Sequence, residues 1–269
     1  NPVASLFLDL GVLFSNPNIA GDPANLHDLT TTTSGGDVID GTAFPRITRG
    51  AFGDMDISEN DSTLYVVNLF DRSLYIIPVG DPFNPTAPTS PSEVTVVSLI
   101  NTAVLPSFPT VSSTDEIRPF ALKYYQDKLY IGYVTNGEDG GALQGVVYSY
   151  DPETGAFVQE LPPFSLDFDR GCALADNDEC FGPARWNPWQ DTYPSPPAMV
   201  LPGTIPEHAE PQPIFADIEF DASGNMILGF RDRFGDQGGR DAPLPGGGSG
   251  LFTQDGLGDI MIATPSGGG

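Results

Sequence analysis

The sequence predicts an all-β fold, a β-propeller built from four-stranded antiparallel blades and interrupted by long loop insertions. Three observations carry this. Apolar residues come in short runs rich in β-branched and aromatic types, bounded by Gly, Pro, Asn or Asp, with almost no helical period. Glycine (31) and proline (27) are abundant while aromatics stay at 10%, so the excess punctuates many short strands. One opening also recurs, Phe followed by Ala or Gly and then Asp or Leu, at Phe52-Gly53-Asp54, Phe120-Ala121-Leu122 and Phe215-Ala216-Asp217. Matched openings mark a repeated supersecondary unit.

In chain order, VASLFLDLGVLF (Val3 to Phe14) reads as a strand left over from a preceding unit, and Ser15 to Gly50 as a polar insertion. The first blade, near 52–100, comprises FGDMDIS (Phe52 to Ser58), TLYVVNL (Thr63 to Leu69), SLYIIPV (Ser73 to Val79) and VTVVSLI (Val94 to Ile100). The gaps ENDS and FDR suit hairpins. The second, near 119–162, comprises PFALKYY (Pro119 to Tyr125), KLYIGYVTN (Lys128 to Asn136), GVVYSYD (Gly145 to Asp151) and AFVQELP (Ala156 to Pro162). The third, near 214–264, has IFADIEFD (Ile214 to Asp221), NMILGFRD (Asn225 to Asp232) and GDIMIAT (Gly258 to Thr264). Residues 1–269 are read as one propeller domain or propeller segment. The openings lie farther apart than the roughly 40–50 residues of a compact blade, so the surplus sits in insertions. The largest, 163–213, holds both cysteines, both tryptophans and many prolines, and is the foremost candidate contact surface. A closed ring needs at least four blades, so the open faces call for partner chains or for more of a longer polypeptide.

Charge narrows the function. Thirty-six acidic residues face 11 basic ones, a formal charge of -25, which repels phosphate backbones and anionic lipid and argues against nucleic-acid partners. The acidity is read first as a solubilising surface and alternatively as a supply of calcium ligands. Cys172 and Cys180 lack the CxxC spacing of zinc or redox sites and suit a small disulfide-closed loop, which implies an oxidising, extracellular setting. No apolar run is long enough to span a bilayer, so membrane insertion is not expected. No signal peptide is visible, so a secreted chain would carry its leader upstream or have lost it. Asn60-Asp61-Ser62 is an N-glycosylation sequon.

The text of the repeats, FGDMDISENDSTLYVVNLFDRSLYIIPV, RPFALKYYQDKLYIGYVTN, VVYSYDPETGAF, RWNPW and ADIEFDASGNMILGFRDRFGDQ, resembles the propeller-like head region of large bacterial cell-surface proteins. Such proteins often carry SdrD-type B-like repeats. The similarity runs from about Gly50 to Gln237, and the LYVVN segment resembles the broader YVTN-type propeller class. The resemblance implies cell-surface placement and an adhesive or scaffolding role, and brings no catalytic residues with it.

Candidate chemistry is sparse. A Ser-His-Asp hydrolase needs a histidine beside its nucleophile, but His27 and His208 both lie in polar, loop-like text and there is no GxSxG elbow. Paired carboxylates are more promising. Asp54 and Asp56 on one opening strand match Asp217 and Glu219 on another, and residues two apart share a strand face. Asp54 and Asp217 are read as acceptors for backbone N–H groups that lock neighbouring repeats together, with Ca2+ ligation by all four carboxylates around a central channel as the alternative. Asp176 and Asp178, in the acidic cysteine loop, are further metal candidates without the order of an EF-hand. The Arg231-Asp232-Arg233 run with Asp236 is read as structural pairing. Trp186 and Trp189 are read as anchors of the insertion or, alternatively, as an exposed aromatic contact surface for a protein or sugar. The expectation is therefore a noncatalytic extracellular binding module serving adhesion or filament assembly, with other protein chains, surface glycans or copies of itself as partners. The competing expectation is a calcium-dependent phosphatase-like or lactonase-like hydrolase.

Overall fold

The structure, a computed structural model, describes residues 5–19, 31–32, 36, 38–172, 175–176, 179–180, 184–194, 199–203, 205–245 and 250–265. Among these the chain is all-β, made of several mainly antiparallel sheets, none closed into a barrel. The first sheet is a meander of β1 (Phe52–Ile57), β2 (Thr63–Asn68), β3 (Ser73–Pro78) and β4 (Thr95–Ser98). A second meander follows from β5 (Ile117–Tyr125), β6 (Lys128–Thr135), β7 (Gln144–Tyr150) and β8 (Phe157–Ser165). β9 (Met199–Leu201) and β10 (Glu207–Ala209) come out of the long insertion. The third sheet contains β11 (Pro213–Phe220) and β12 (Met226–Asp232). Downstream, β13 (Ala242–Pro243) and β14 (Leu251–Gln254) join β9 and β10 in a mixed sheet, with β10 parallel to β14, and β15 (Asp259–Ala263) completes the third sheet beside β12.

The hairpins form where the sequence alternates and a short turn intervenes, as at Ser58 to Thr63, where the Ser58 hydroxyl accepts from Thr63 N at 3.0 Å. Each opening strand also breaks register at its Phe motif: between Phe52 and Met55, opposite Gly132 and Tyr133, and between Phe215 and Asp217. An extra residue in one strand bends it and raises its twist, so the three openings share a backbone irregularity as well as a sequence.

The second sheet is buried on both sides. Against the first sheet it packs Leu122, Leu129, Ile131, Tyr133 and Tyr148 with Tyr65, Val67 and Leu74. Against the third it packs Ala121, Val134 and Val147 with Phe215, Ile218, Leu228 and Phe230. Gly132 makes the latter approach possible, because a Cβ there would lie 2.9 Å from both the Ala121 Cβ and the Phe215 ring. β5 consequently lies against both β1 and β11.

The stretch expected as an orphan strand folds differently. Val3 and Ala4 lie outside the described residues, and Leu10–Leu13 form a helical turn, α1, capped by Asp9, whose carboxylate accepts from Val12 N at 2.9 Å. The turn places Leu10, Leu13 and Phe14 at helical spacing, and with Leu8 and Ile19 they cover Val66, Tyr75 and Ile77 on the outer face of the first sheet. Phe14 meets Tyr75 edge-on at 5.4 Å, and Asn68 Nδ2 donates to the Ile19 carbonyl at 2.7 Å.

Candidate functional site

Asp54 and Asp56 act between sheets. Their β1 positions set both carboxylates facing β5: Asp54 Oδ2 accepts from Leu122 N at 3.0 Å and Asp56 Oδ2 from Tyr124 N at 2.8 Å. The second oxygen of each takes the following N–H of its own strand, Met55 at 2.9 Å and Ile57 at 2.8 Å. Burial raises the pKa of Asp54, the N–H groups of Leu122 and Met55 pull it back, and the charges of Asp217 and Asp56 add to the rise. Lys123, one of two lysines in the chain, joins the group from the second sheet, 2.9 Å from Glu219 and 3.7 Å from Asp56. Burial works to lower the pKa of Lys123, but the hydrogen bond to Glu219 and the charges of Asp56, Glu219 and Asp217 outweigh it and leave the pKa raised. Sequence reasoning missed Lys123; its rarity was the available signal.

The matching pair on the third sheet behaves otherwise. Asp217 is exposed and makes no hydrogen bond to any described residue, while Glu219 holds only Lys123. The register puts Asp217, Gly229 and Ile260 in one cross-strand row and Glu219, Ile227 and Ile262 in the next. Ile260 and Ile262 are 82% and 60% exposed, so this face of the third sheet is largely bare. The calcium expectation for Asp54, Asp56, Asp217 and Glu219 is not carried by this geometry. Among the described residues no three His, Cys, Asp or Glu side chains gather to hold a metal ion.

The insertion has order of its own. Cys172 and Cys180 form the expected disulfide across a hairpin of Ala175–Asp176 and Glu179–Cys180. Asp176 lies in that hairpin, and Asp178 is outside the described residues, as is His27. His208 is not a solvated loop residue. It lies in β10, hydrogen-bonded to the Tyr193 hydroxyl and stacked on Phe252 at 5.4 Å, and burial lowers its pKa. Asn60 sits exposed at a turn, its Oδ1 accepting from the Ser58 and Ser62 hydroxyls, each at 2.7 Å.

The exposed-platform alternative for Trp186 and Trp189 is corrected. They are 4% and 2% exposed because guanidinium groups and strands enclose them. Arg170 covers Trp186 at 3.6 Å, and Trp189 Nε1 donates to the Pro213 carbonyl at 2.7 Å. Arg233, with its ring contact to Trp189 at 4.8 Å, is fully buried and donates to the carbonyls of Pro45, Ile47 and Gln190, to Gln212 Oε1 and to Asp191. Burial and the nearby Arg49 charge push its pKa down to about 10, with Asp191 pulling it back. Beside it Asp232 caps α2 (Arg233–Gln237) and accepts from Gln212, Phe234 and Leu257 N–H groups. Burial raises its pKa to about 7 against the pull of those bonds. Of the expected pairs in this run, Arg231 reaches both oxygens of Asp236 at 2.8 Å, but Arg233 instead ties the third sheet to the insertion and to the 44–49 segment.

Two relatives share this text. Colossin-A of Dictyostelium discoideum is 30% identical over 194 residues, 71% of this chain and 2% of Colossin-A. Colossin-C of the same organism is 27% identical over 195 residues, 72% of this chain and 17% of Colossin-C. The bacterial assignment is overturned. These relatives are eukaryotic proteins, not bacterial proteins with SdrD-type repeats, and this chain spans only a small part of either one's length. No protein-family model matches the chain, and no solved structure matches it.

Proposed function

We propose that the chain is a noncatalytic binding and assembly module of an extracellular protein, a propeller segment whose third sheet receives a further β unit from another chain or from elsewhere in a longer polypeptide. One observation carries the reading: among the described residues the third sheet has three strands where the first two have four, and its outer face presents Ile260 and Ile262 to solvent. Open sheet edges and exposed apolar patches favour pairing with another chain. Three features lend support. The sheets lie face to face with their opening strands side by side, as propeller blades do. The Cys172–Cys180 bridge suits an oxidising compartment. Asp54 and Asp56 are engaged by backbone N–H groups, which favours a clamp over the calcium-dependent hydrolase reading.

The test is sedimentation of the intact chain across a wide concentration range, beside an Ile260→Lys, Ile262→Lys double variant. Self-association of the wild type that the double variant loses, with its circular dichroism unchanged, is the expected result. A wild type that stays monomeric throughout, or a variant that associates equally, removes self-assembly through this face.

A further inference from the structure

Where the first and second sheets meet at one end, their turns enclose a groove of about 440 Å³. The β1–β2 turn brings Glu59 to it, the β5–β6 turn Asp127 and the β7–β8 turn Glu153, while Tyr65 of β2 and Tyr124 of β5 line it from the strands. Asp151 fixes the last of these turns, its Oδ1 accepting from Glu153 N at 2.8 Å and from Thr154 N at 3.2 Å. Three carboxylates thus share one groove, and among the described residues no lysine or arginine lines it.

Carboxylates on so acidic a surface would ordinarily be solvated and nothing more. Tyr65 adds a second observation. It is 5% exposed, packed in the core between the two sheets and stacked on Tyr124 with ring centroids 5.6 Å apart, yet its hydroxyl makes no hydrogen bond to any described residue. Its main chain is paired to Asp56 on one side and Ile76 on the other, so the groove meets its side chain. Enclosed hydroxyls in folded proteins find partners, and one left open at the floor of a groove marks where a ligand atom fits. The groups around it are short of donors. The Ser58 and Ser62 hydroxyls give their protons to Asn60 Oδ1, each at 2.7 Å, and the Tyr124 hydroxyl gives its own to Asp127 Oδ1 at 3.2 Å. Burial, that hydrogen bond and the negative charges of Asp127 and Glu59 push the Tyr124 pKa up to about 12.

We propose that this groove receives the cationic side chain of a lysine or arginine from a different, basic polypeptide, with the Tyr65 hydroxyl and the carboxylates of Glu59, Asp127 and Glu153 as its acceptors. A metal ion does not suit the arrangement, because among the described residues no three carboxylates come close enough to share one. A flexible stem ending in several N–H donors bridges groups that a single ion cannot. A neutral ligand would leave the three charges unmatched. A second copy of this chain is a poor source of the cation, since eight of its 11 basic residues already pair with a carboxylate. The contact is separate from the exposed face of the third sheet and does not depend on it.

Titration of the intact chain with acetyl-tetralysine amide, followed by amide NMR, supplies the test. Shifts should gather at the three turns, and binding should weaken as salt rises. Glu59→Gln with Glu153→Gln should weaken binding about fivefold, and Tyr65→Phe, which removes only the hydroxyl, about threefold. A Glu93→Gln, Asp139→Asn double variant removes the same charge from exposed positions outside the groove and should leave the affinity within about a factor of two. Equal losses in the two double variants, or shifts spread over the whole acidic surface, overturn the site, because the peptide then responds to net charge alone. Shifts at the three turns with N-acetylglucosamine but not with the peptide overturn it in favour of a glycan, and a response to Ca2+ as strong as that to the peptide overturns it in favour of an ion.

Discussion

The first and third sheets carry acidic pairs at matching places of matching strands, yet only the first sheet puts both members to structural use. Asp54 and Asp56 each hold a backbone N–H of β5, whereas among the described residues Asp217 hydrogen-bonds to nothing and Glu219 only to a lysine. Their outer faces contrast in the same way. The first is covered by Leu10, Ile19 and their neighbours, and the third is left with isoleucines in water. A repeated carboxylate is therefore not a ligand or a clamp by its own nature. The neighbour that reaches it decides, and the first sheet has one on each side.

The contrast can be broken at several points. With the outer face of the third sheet exposed among the described residues, the sheet is held at its end by Arg233, so Arg233→Met should cost about 3–5 kcal/mol in urea unfolding, because among those residues it takes the only side-chain donor from the Pro45 carbonyl and one of two from the Ile47 carbonyl, and leaves a void at a fully buried position. A loss below about 1 kcal/mol would mean that the sheet has another anchor. Asp232, in the same knot, should titrate near pH 7 by carboxyl-carbon NMR. Its folded pKa lies above the 3.8 of an ordinary aspartate, so folding takes up a proton between those limits. The stability it contributes is full below pH 3.8 and is lost as pH rises through about 7. Across that window this one group should lower the unfolding free energy by up to about 1.4 kcal/mol per pH unit.

Smaller effects separate the two interfaces. Gly132→Ala drives a methyl into Ala121 and Phe215 and should cost about 1–3 kcal/mol by thermal melting, with the loss confined to contacts of the second and third sheets by hydrogen exchange. Asp54→Ala should cost about 2 kcal/mol in chemical unfolding, since it frees two N–H groups, while Asp217→Ala should stay within about 0.5 kcal/mol of wild type. Equal losses for the two aspartates would erase the distinction between the sheets.

Much of this was legible in the sequence. All eleven strands expected in the three repeats are present, with ends shifted by at most three residues, because alternating β-branched residues and short turns encode hairpins locally. The Cys172–Cys180 disulfide was legible from the pair's spacing, but the hairpin inside its loop was not, since RGCALADNDECFG has no alternation of β-branched residues. Long-range neighbours were not. Val3 to Phe14 has enough apolar residues for a strand, but Asp9 caps a turn and the outer face of the first sheet accepts the helical spacing of Leu10, Leu13 and Phe14. The mixed sheet escaped notice because β10 pairs with β14 across a long stretch of chain, through segments too short to show a period. The tryptophans read as anchors of the insertion, but the exposed alternative could not be closed from the sequence, since their enclosure depends on arginines far away in it. Asp54 and Asp217 occupy equivalent text, and nothing in that text says which of them meets a backbone amide.

The small lid formed by Leu8, Leu10, Leu13, Phe14 and Ile19 gives the stack of sheets a finished end and an unfinished one. A stack with such ends has a direction. If like units stack through the exposed face of the third sheet as proposed, growth through that face would run one way only, and removing the lid would let two copies meet head to head.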